Sequence, residues 1–479
     1  MDQKEFASYL EDWIPKHSEE IISSLLELIS IPSIEKAPSE GQPFGPEVAR
    51  AFDFCTKKAE SFGISSKNVD GYAVHGEIGS GQEMAMALTH VDIVPIGTGW
   101  TRHPLGEVYD GKVYGRGAQD NKGPTIACLY ALKAIKESGV PLRRRIRHVI
   151  GGNEESGFRC VRHYFQVEEL PTYGFSPDAF FPLVYAEKGS MNVKVTVDVE
   201  QGVYSLVEIS GGERSNIVPE KATATLKVPQ GEEQSTAELL KTFIPSVTKI
   251  VGGPGPLSFE LEAQSGMITI SCTGKACHAS VPWEGTNAVT AILHLVTCLG
   301  DGLGSRDALK FVAEAGDIYG RGLDIECEDD ISGKLSCNLG VCQTAHEDGR
   351  TVVTAIYNIR YPVKISGEEL RQRAITCPRP QTDGLRVEVV SVSNSHYTDP
   401  NSFLVQTLLQ VYREETGDDS PPIAIGGGTY AKVIPGGVAY GPVMPGAVET
   451  AHQADEFISI DDLLLLVKIY ARALFALAQ

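Results

Sequence analysis

The sequence predicts an α/β class protein: an α/β catalytic-type domain with a mostly parallel central sheet, interrupted by an α+β lid. Three observations predict it. Helix-like and strand-like stretches alternate over residues 1–189, as in layered α/β domains. From Met191 the texture changes to short alternating runs. Near residue 393 the first texture returns. The expected boundaries are one discontinuous domain over 1–189 and 393–479, and a lid over 190–392. Two parts also suit the length, because 479 residues exceed the ~250–300 that one core encloses.

Each element follows from local pattern. Residues 47–62 carry apolar side chains at helical spacing, and Gly63 is placed to end that helix. EMAMALTH (83–90) reads as a strand entering a loop. GPTIACLYALKAIKESG (123–139) reads as a helix closed by glycine, and RIRHVIGG (145–152) as a strand. In the lid, MNVKVTVDV, ATATLKV, MITISCTG and TVVTAIYNIRY alternate with period two, with helices expected near 234–248 and 284–299. That pattern fits a mostly antiparallel sheet. Asp399 and Pro400 are expected as N-cap and first helical position of the next helix. PIAIGGG is expected as a strand. In the last helix Lys468 and Arg472 fall four apart, on one face.

Composition narrows the function. Net charge is −20, which repels nucleic-acid phosphates and anionic lipid. The ten cysteines contain no C-x-x-C pair, so neither a disulfide framework nor a thiolate zinc knuckle is expected. The acidic start lacks an apolar signal region, and no apolar run reaches the ~18 residues that span a bilayer. A soluble cytoplasmic protein is expected, with neither nucleic acid nor membrane as partner.

Polar clusters sit just past expected strand ends. THVDIVP carries His90 and Asp92, GRGAQDNKGP carries Asp120 and Asn121, GGNEESG carries Glu154 and Glu155, FSPDAFFPLVYAEKG carries Asp178, and AHQADE carries His452. In open α/β sheets ligands bind outside the carboxyl ends of strands. Histidines with carboxylates and no cysteine suit zinc or a neighbouring metal, and more than four candidates suggest two ions sharing a carboxylate. Such ions polarise a carbonyl and acidify water. In extended backbone Glu154 and Glu155 would point to opposite sides, one to metal and one to the water as general base. Asp92 is placed to orient His90. Each motif alone also has an ordinary reading. H-x-D is commonly a surface turn, E-E a solvated helix start, S-P-D an Asx turn, and a single histidine usually structural. Spacing by itself leaves the question open.

The ordered set THVDIVP, GRGAQDNKG, GGNEESG, SPDAFFPLVYAEKG, GGGTYAK and AHQADE resembles the dinuclear-zinc exopeptidases that include aminoacylase, glutamate carboxypeptidase and carnosinase. Within that family it is most similar to the bacterial V-type Xaa-His dipeptidases. The resemblance implies that His90, Asp120 and Asp178 hold one zinc, and Asp120, Glu155 and His452 the other. It implies Glu154 as general base, later proton donor to the leaving amine, and Asp92 as the residue orienting His90. A cis Asp120–Asn121 bond is implied as well. In the lid, GGERSNIVPE implies Asn216 as a substrate contact, and GKACHASVPWEGTNA implies that His278 reaches the oxyanion. Arg360 of YNIRYP can take a carboxylate by a two-pronged bond, and the turn Gly426-Gly427-Gly428-Thr429 can add donors. A working monomer is implied, with a dimer as the alternative.

The resemblance implies a metal-dependent dipeptidase using two divalent ions, zinc first, with manganese or cobalt as alternatives. An N-acyl or N-succinyl amino-acid amidohydrolase shares the machinery. A catalytically dead binding protein need not keep Glu154. A cysteine hydrolase using Cys277 would need its base to come from the adjacent His278. None of the Gly-Lys pairs precedes Ser or Thr, so a phosphate-binding P-loop is excluded.

Overall fold

A computed structural model describes residues 1–347, 350–382 and 384–479. The chain forms two compact units. The first holds Met1–Ala186, Tyr397–Ala424 and Gly428–Gln479; the second holds Glu187–His396 and Ile425–Gly427. The short return of Ile425–Gly427 to the second unit has no counterpart in the sequence pattern.

The first unit is built on a mixed sheet whose centre is parallel. Strand Met84–His90 lies between Arg145–Gly151 and Tyr173–Ser176, parallel to both, and Val438–Ala439 continues in parallel beside the latter. Ala73–Ile78 and Ser65–Val69 extend the other side as antiparallel strands. Met84–His90 is buried along its whole length, as a strand covered on both faces must be. Helix Lys122–Ser138 is buried from Lys122 to Ile135 and ends at Gly139, whose φ of 67° is left-handed. Gly123 opens it because a Cβ there would lie 2.3 Å from the Ala118 carbonyl oxygen.

Helix Gln3–Ile29, started by an Asp2–Glu5 capping box, packs with Lys122–Ser138 and with Ile460–Leu477. The last helix is buried nearly all round rather than half exposed. Its charges are paired instead: Lys468 with Glu11 and Glu415, Arg472 with Glu414 and Glu415. The helix after residue 400 is Phe403–Thr416, capped by Ser402, whose hydroxyl accepts the Val405 N–H. Asp399 instead accepts the Asn401 N–H in a preceding Asx turn, which moves the expected cap three residues on. No helix among the described residues is long and apolar enough to cross a membrane.

The second unit contains an eight-stranded sheet. Its order runs Ser258–Gln264, Met267–Thr273, Lys221–Lys227, Ser205–Gly211, Ser336–Glu347, Arg350–Tyr361, Gly189–Val199, Arg386–Ser393. All its pairs are antiparallel. Gly189–Val199 alternates buried and half-buried residues without a break, so Met191, Val193, Val195 and Val197 enter the core together. Each such side chain contributes about 1.5–3 kcal/mol by burial. Helices Glu233–Val251, Ala288–Thr297 and Arg306–Ala315 pack within this unit's core.

Candidate metal centre

The parallel strands of the first unit deliver three loops at their carboxyl ends. His90 ends its strand, Glu154 and Glu155 follow Arg145–Gly151, and Asp178 follows Tyr173–Ser176. Asp120 precedes the buried helix, and His452 lies in the loop before Phe457–Ser459. One ligand atom from each of His90, Glu154 and Asp178 lies within 4.8 Å of the others, and the same holds for Asp120, Glu155 and His452. Asp120 links the two groups. Its Oδ1 is 3.0 Å from His90 Nε2 and its Oδ2 is 3.1 Å from His452 Nε2. Glu155 Oε1 is 2.9 Å from His452 Nε2, and Asp178 Oδ1 is 3.6 Å from His90 Nε2.

His90 tests whether this set fits a cation. Its Nδ1 donates to the Asp92 carbonyl at 3.1 Å, which puts the proton there and leaves a lone pair on Nε2. That Nε2 is buried, makes no well-aligned hydrogen bond, and faces the carboxylate oxygens of Asp120 and Asp178. Lone pairs converging on one point repel unless a cation or a proton lies among them. The donors are imidazole nitrogens and carboxylate oxygens, which suit zinc, manganese or cobalt.

The electrostatics agree. Burial opposes a charged His90, yet Asp178, Asp120 and Asp92 hold its pKa well above the ordinary value. His452 is pushed up to about 11 against its own burial by Asp120 and Glu155. Asp120, although buried, is held low by His452 and His90. Burial and the charge of Asp120 raise Glu155 to about 7. Burial, then the charge of Asp178, raises Glu154 well above the carboxylate range. These are the marks of surplus negative charge in a buried site, which divalent cations relieve without protonating the bases.

The loop carrying the two glutamates is a turn, not extended backbone. Asp92 bends it: its two carboxylate oxygens accept the N–H groups of Glu154 and Glu155, each at 3.1 Å. The side chains still diverge, Glu154 toward His90 and Asp178, Glu155 toward Asp120 and His452. Asp92 meets His90 chiefly through its carbonyl, while its Oδ1 is 3.4 Å from Nδ1. On the other side, Asn153 donates to Glu35 at 2.7 Å. The Asp120–Asn121 bond is cis, and Asn121 donates to Asp178 at 3.0 Å while accepting the His90 N–H.

The remaining expected residues divide between the units. Thr429 belongs to the first, where its hydroxyl caps the turn Tyr430–Val433 by accepting the Ala431 N–H. Gly428 shares that unit, whereas Gly427, Asn216, His278 and Arg360 belong to the second. There Arg360 is largely buried, which lowers its pKa, and it donates to Asn358 Oδ1 at 3.0 Å and the Gly426 carbonyl at 3.3 Å. Among the described residues it has no carboxylate partner. Cys277 gives its S–H to the Val281 carbonyl at 3.3 Å, and burial raises its pKa to about 11, so it is a thiol at neutral pH.

Sequence reasoning missed Glu456 and Gln119. Glu456 Oε1 accepts the N–H groups of Gln119 and Asp120, and Gln119 Oε1 accepts those of Thr450 and Ala451. His452 follows with φ 63°, left-handed and uncommon outside glycine. The signal for Glu456 was its position as the last residue of AHQADE.

A model of peptidase family M20/M25/M40 matches residues 86–476. The Bacillus subtilis (strain 168) protein YtjP, named a putative dipeptidase, is 37% identical over 477 residues, 97% of this chain and 98% of its own. Among solved structures, the dipeptidase Dug1p of Saccharomyces cerevisiae aligns with TM-score 0.57 at 13% identity, covering 100% of this chain and 99% of its own. Human carnosine dipeptidase 1 aligns with TM-score 0.56 at 15% identity, covering 99% and 100%. At such identities the structural likeness is one of fold.

Proposed function

The chain belongs to peptidase family M20/M25/M40, and on that premise we propose that it is a metal-dependent dipeptidase. The observation that carries the reading is Asp120, whose two carboxylate oxygens face His90 and His452 separately, in the disposition of a carboxylate shared by two ions. In this reading His90, Asp120 and Asp178 hold one divalent cation, and Asp120, Glu155 and His452 the other. Zinc is the first candidate, with manganese or cobalt as alternatives. When bound, the cations supply Lewis-acid polarisation of the scissile carbonyl and acidify water.

The other steps fall to side chains. Glu154 takes the proton of the attacking water and returns it to the leaving amine. Asp92 sets the position of Glu154 by holding its backbone N–H. His278 would meet the oxyanion and Asn216 the substrate amide. Arg360, a buried guanidinium lacking a carboxylate partner among the described residues, would receive the free C-terminal carboxylate of a dipeptide. Gly427, Gly428 and Thr429 would add donors to that carboxylate.

The test is amine release from a panel of free dipeptides, each beside its N-acetylated or N-succinylated counterpart, with chelator and with zinc, manganese or cobalt added back. Chelator-sensitive cleavage of the free dipeptides supports the proposal. Cleavage of the acylated compounds alone would assign an amidohydrolase, and turnover indifferent to chelator would refute the metal-dependent reading.

A further inference from the structure

Within the second unit, His278 stands on a braced stretch of main chain. The segment 216–218 pairs with 277–279: the Ala279 N–H donates to the Asn216 carbonyl and the Val218 N–H to the Cys277 carbonyl, each at 2.9 Å. Ser336 Oγ donates to the Ala279 carbonyl at 3.1 Å. Asn338 Nδ2 donates to the carbonyls of Ser215 and Ile217 at 3.0 and 2.9 Å. The His278 backbone is therefore fixed on both sides, although its ring is exposed.

The ring meets Ser280 twice. His278 Nδ1 is 2.7 Å from the Ser280 hydroxyl and 3.3 Å from the Ser280 backbone nitrogen, whose N–H points at it. A backbone N–H can only donate. Nδ1 is therefore an acceptor without its own proton, and the hydroxyl beside it donates too. A neutral imidazole carries one proton, which must then sit on Nε2.

We propose that Ser280 is a positioning residue that holds His278 in the tautomer with its proton on Nε2, so that Nε2–H is the donor offered to the developing oxyanion. The inference rests on the dipeptidase reading for that last role. An oxyanion is stabilised by donors already in place when its charge develops. In the other tautomer Nε2 would present a lone pair and repel it.

Gly426 completes the device. A Cβ there would lie 2.5 Å from Ser280 Cβ, so glycine is what permits the approach. The Gly426 carbonyl accepts Arg360 Nη1, which ties the same backbone to the guanidinium. Gly426→Ala thus disturbs Ser280 without altering its hydroxyl, giving a second and independent variant.

The experiment uses the full chain with ¹⁵N-labelled histidine. Long-range ¹H–¹⁵N spectra report which ring nitrogen carries a proton, and His278→Gln identifies the signals. At neutral pH the wild type should show His278 Nδ1 unprotonated and Nε2 protonated. Ser280→Ala and Gly426→Ala should shift it toward a mixture, and Ser280→Thr should restore the wild-type pattern. In dipeptide hydrolysis Ser280→Ala should lower kcat about tenfold with KM nearly unchanged, and Ser280→Thr should recover most of it. A wild-type His278 protonated on Nδ1, or a Ser280→Ala effect confined to KM, overturns the proposal. A wild type that cleaves no dipeptide refutes the dipeptidase reading, whereas the ring spectra decide the tautomer in either case.

Discussion

Glu456 accepts the backbone N–H of Asp120 at 3.1 Å, and it does so from four residues beyond His452 in the chain. The same oxygen accepts the Gln119 N–H at 3.0 Å, and its other oxygen pairs with Arg116 at 2.8 Å. Glu456 and Arg116 are both buried. The loops bearing two of the proposed metal ligands are thereby joined through one carboxylate, and Arg116 supplies the charge that lets it be buried.

Glu456→Gln should therefore weaken metal binding about 10- to 100-fold, the usual consequence of losing a group that orients ligands. Competition with a chromophoric chelator measures it. Leaving Arg116 buried without its anion should also cost on the order of 3–5 kcal/mol in chemical denaturation. Unchanged metal affinity in a destabilised protein would mean that Glu456 is structural alone.

Glu154→Gln should lower kcat by about 10²–10⁴ while bound metal stays unchanged, because a general base moves a proton and does not hold the ion. Metal content and turnover are measured on the same sample. Parallel loss of both would reassign Glu154 as a ligand beside His90 and Asp178, with which it shares a cluster.

Most of the proposed ligands were legible because they end or follow a core strand or lie just before a helix, where a short polar motif in an apolar frame stands out; His452, in a loop, was carried by the AHQADE motif alone. His90 ends MAMALTH and Glu154 follows RIRHVIG. Their supports were not legible, because backbone acceptors depend on tertiary approach. Nothing local to THVD shows that Asp92 will bind two N–H groups 62 and 63 residues away. Asp399 and Ser402 are equally good caps by residue type, and only the register of the following helix selects Ser402. The visit of Ile425–Gly427 to the second unit is likewise invisible, since a glycine run reads as a turn wherever it lies.

Acid should destabilise the first unit through His75. This ring is buried on strand Ala73–Ile78, its Nδ1 is 2.8 Å from the Tyr164 hydroxyl, and Arg147 donates to that same hydroxyl at 3.1 Å. Burial, then the charge of Arg147, pushes its pKa down to about 4 from 6.5. The unfolded chain therefore binds the proton more readily, so the site's stability is fully present above pH 6.5 and is lost as pH falls toward 4. Between pH 7 and pH 5 the loss should be roughly 2 kcal/mol, read from denaturation midpoints. His75→Gln should flatten that slope. His148, pushed by burial to about 3, has the same sign and should leave a residual acid sensitivity.

Arg360→Met should separate recognition from chemistry. The guanidinium is held by Asn358 and the Gly426 carbonyl, two neutral acceptors that orient it without cancelling its charge. A charge-assisted bond to a substrate carboxylate contributes about 1.5–3 kcal/mol, so KM for free dipeptides should rise about 10- to 100-fold. Dipeptide amides lack the negative charge and should be cleaved alike by wild type and variant. Arg360→Lys should recover only part of the loss, because an ammonium cannot offer the planar fork. Equal losses on acids and amides would show that Arg360 acts through the fold and not on the carboxylate. Steady-state kinetics on matched acid and amide pairs decides between the two.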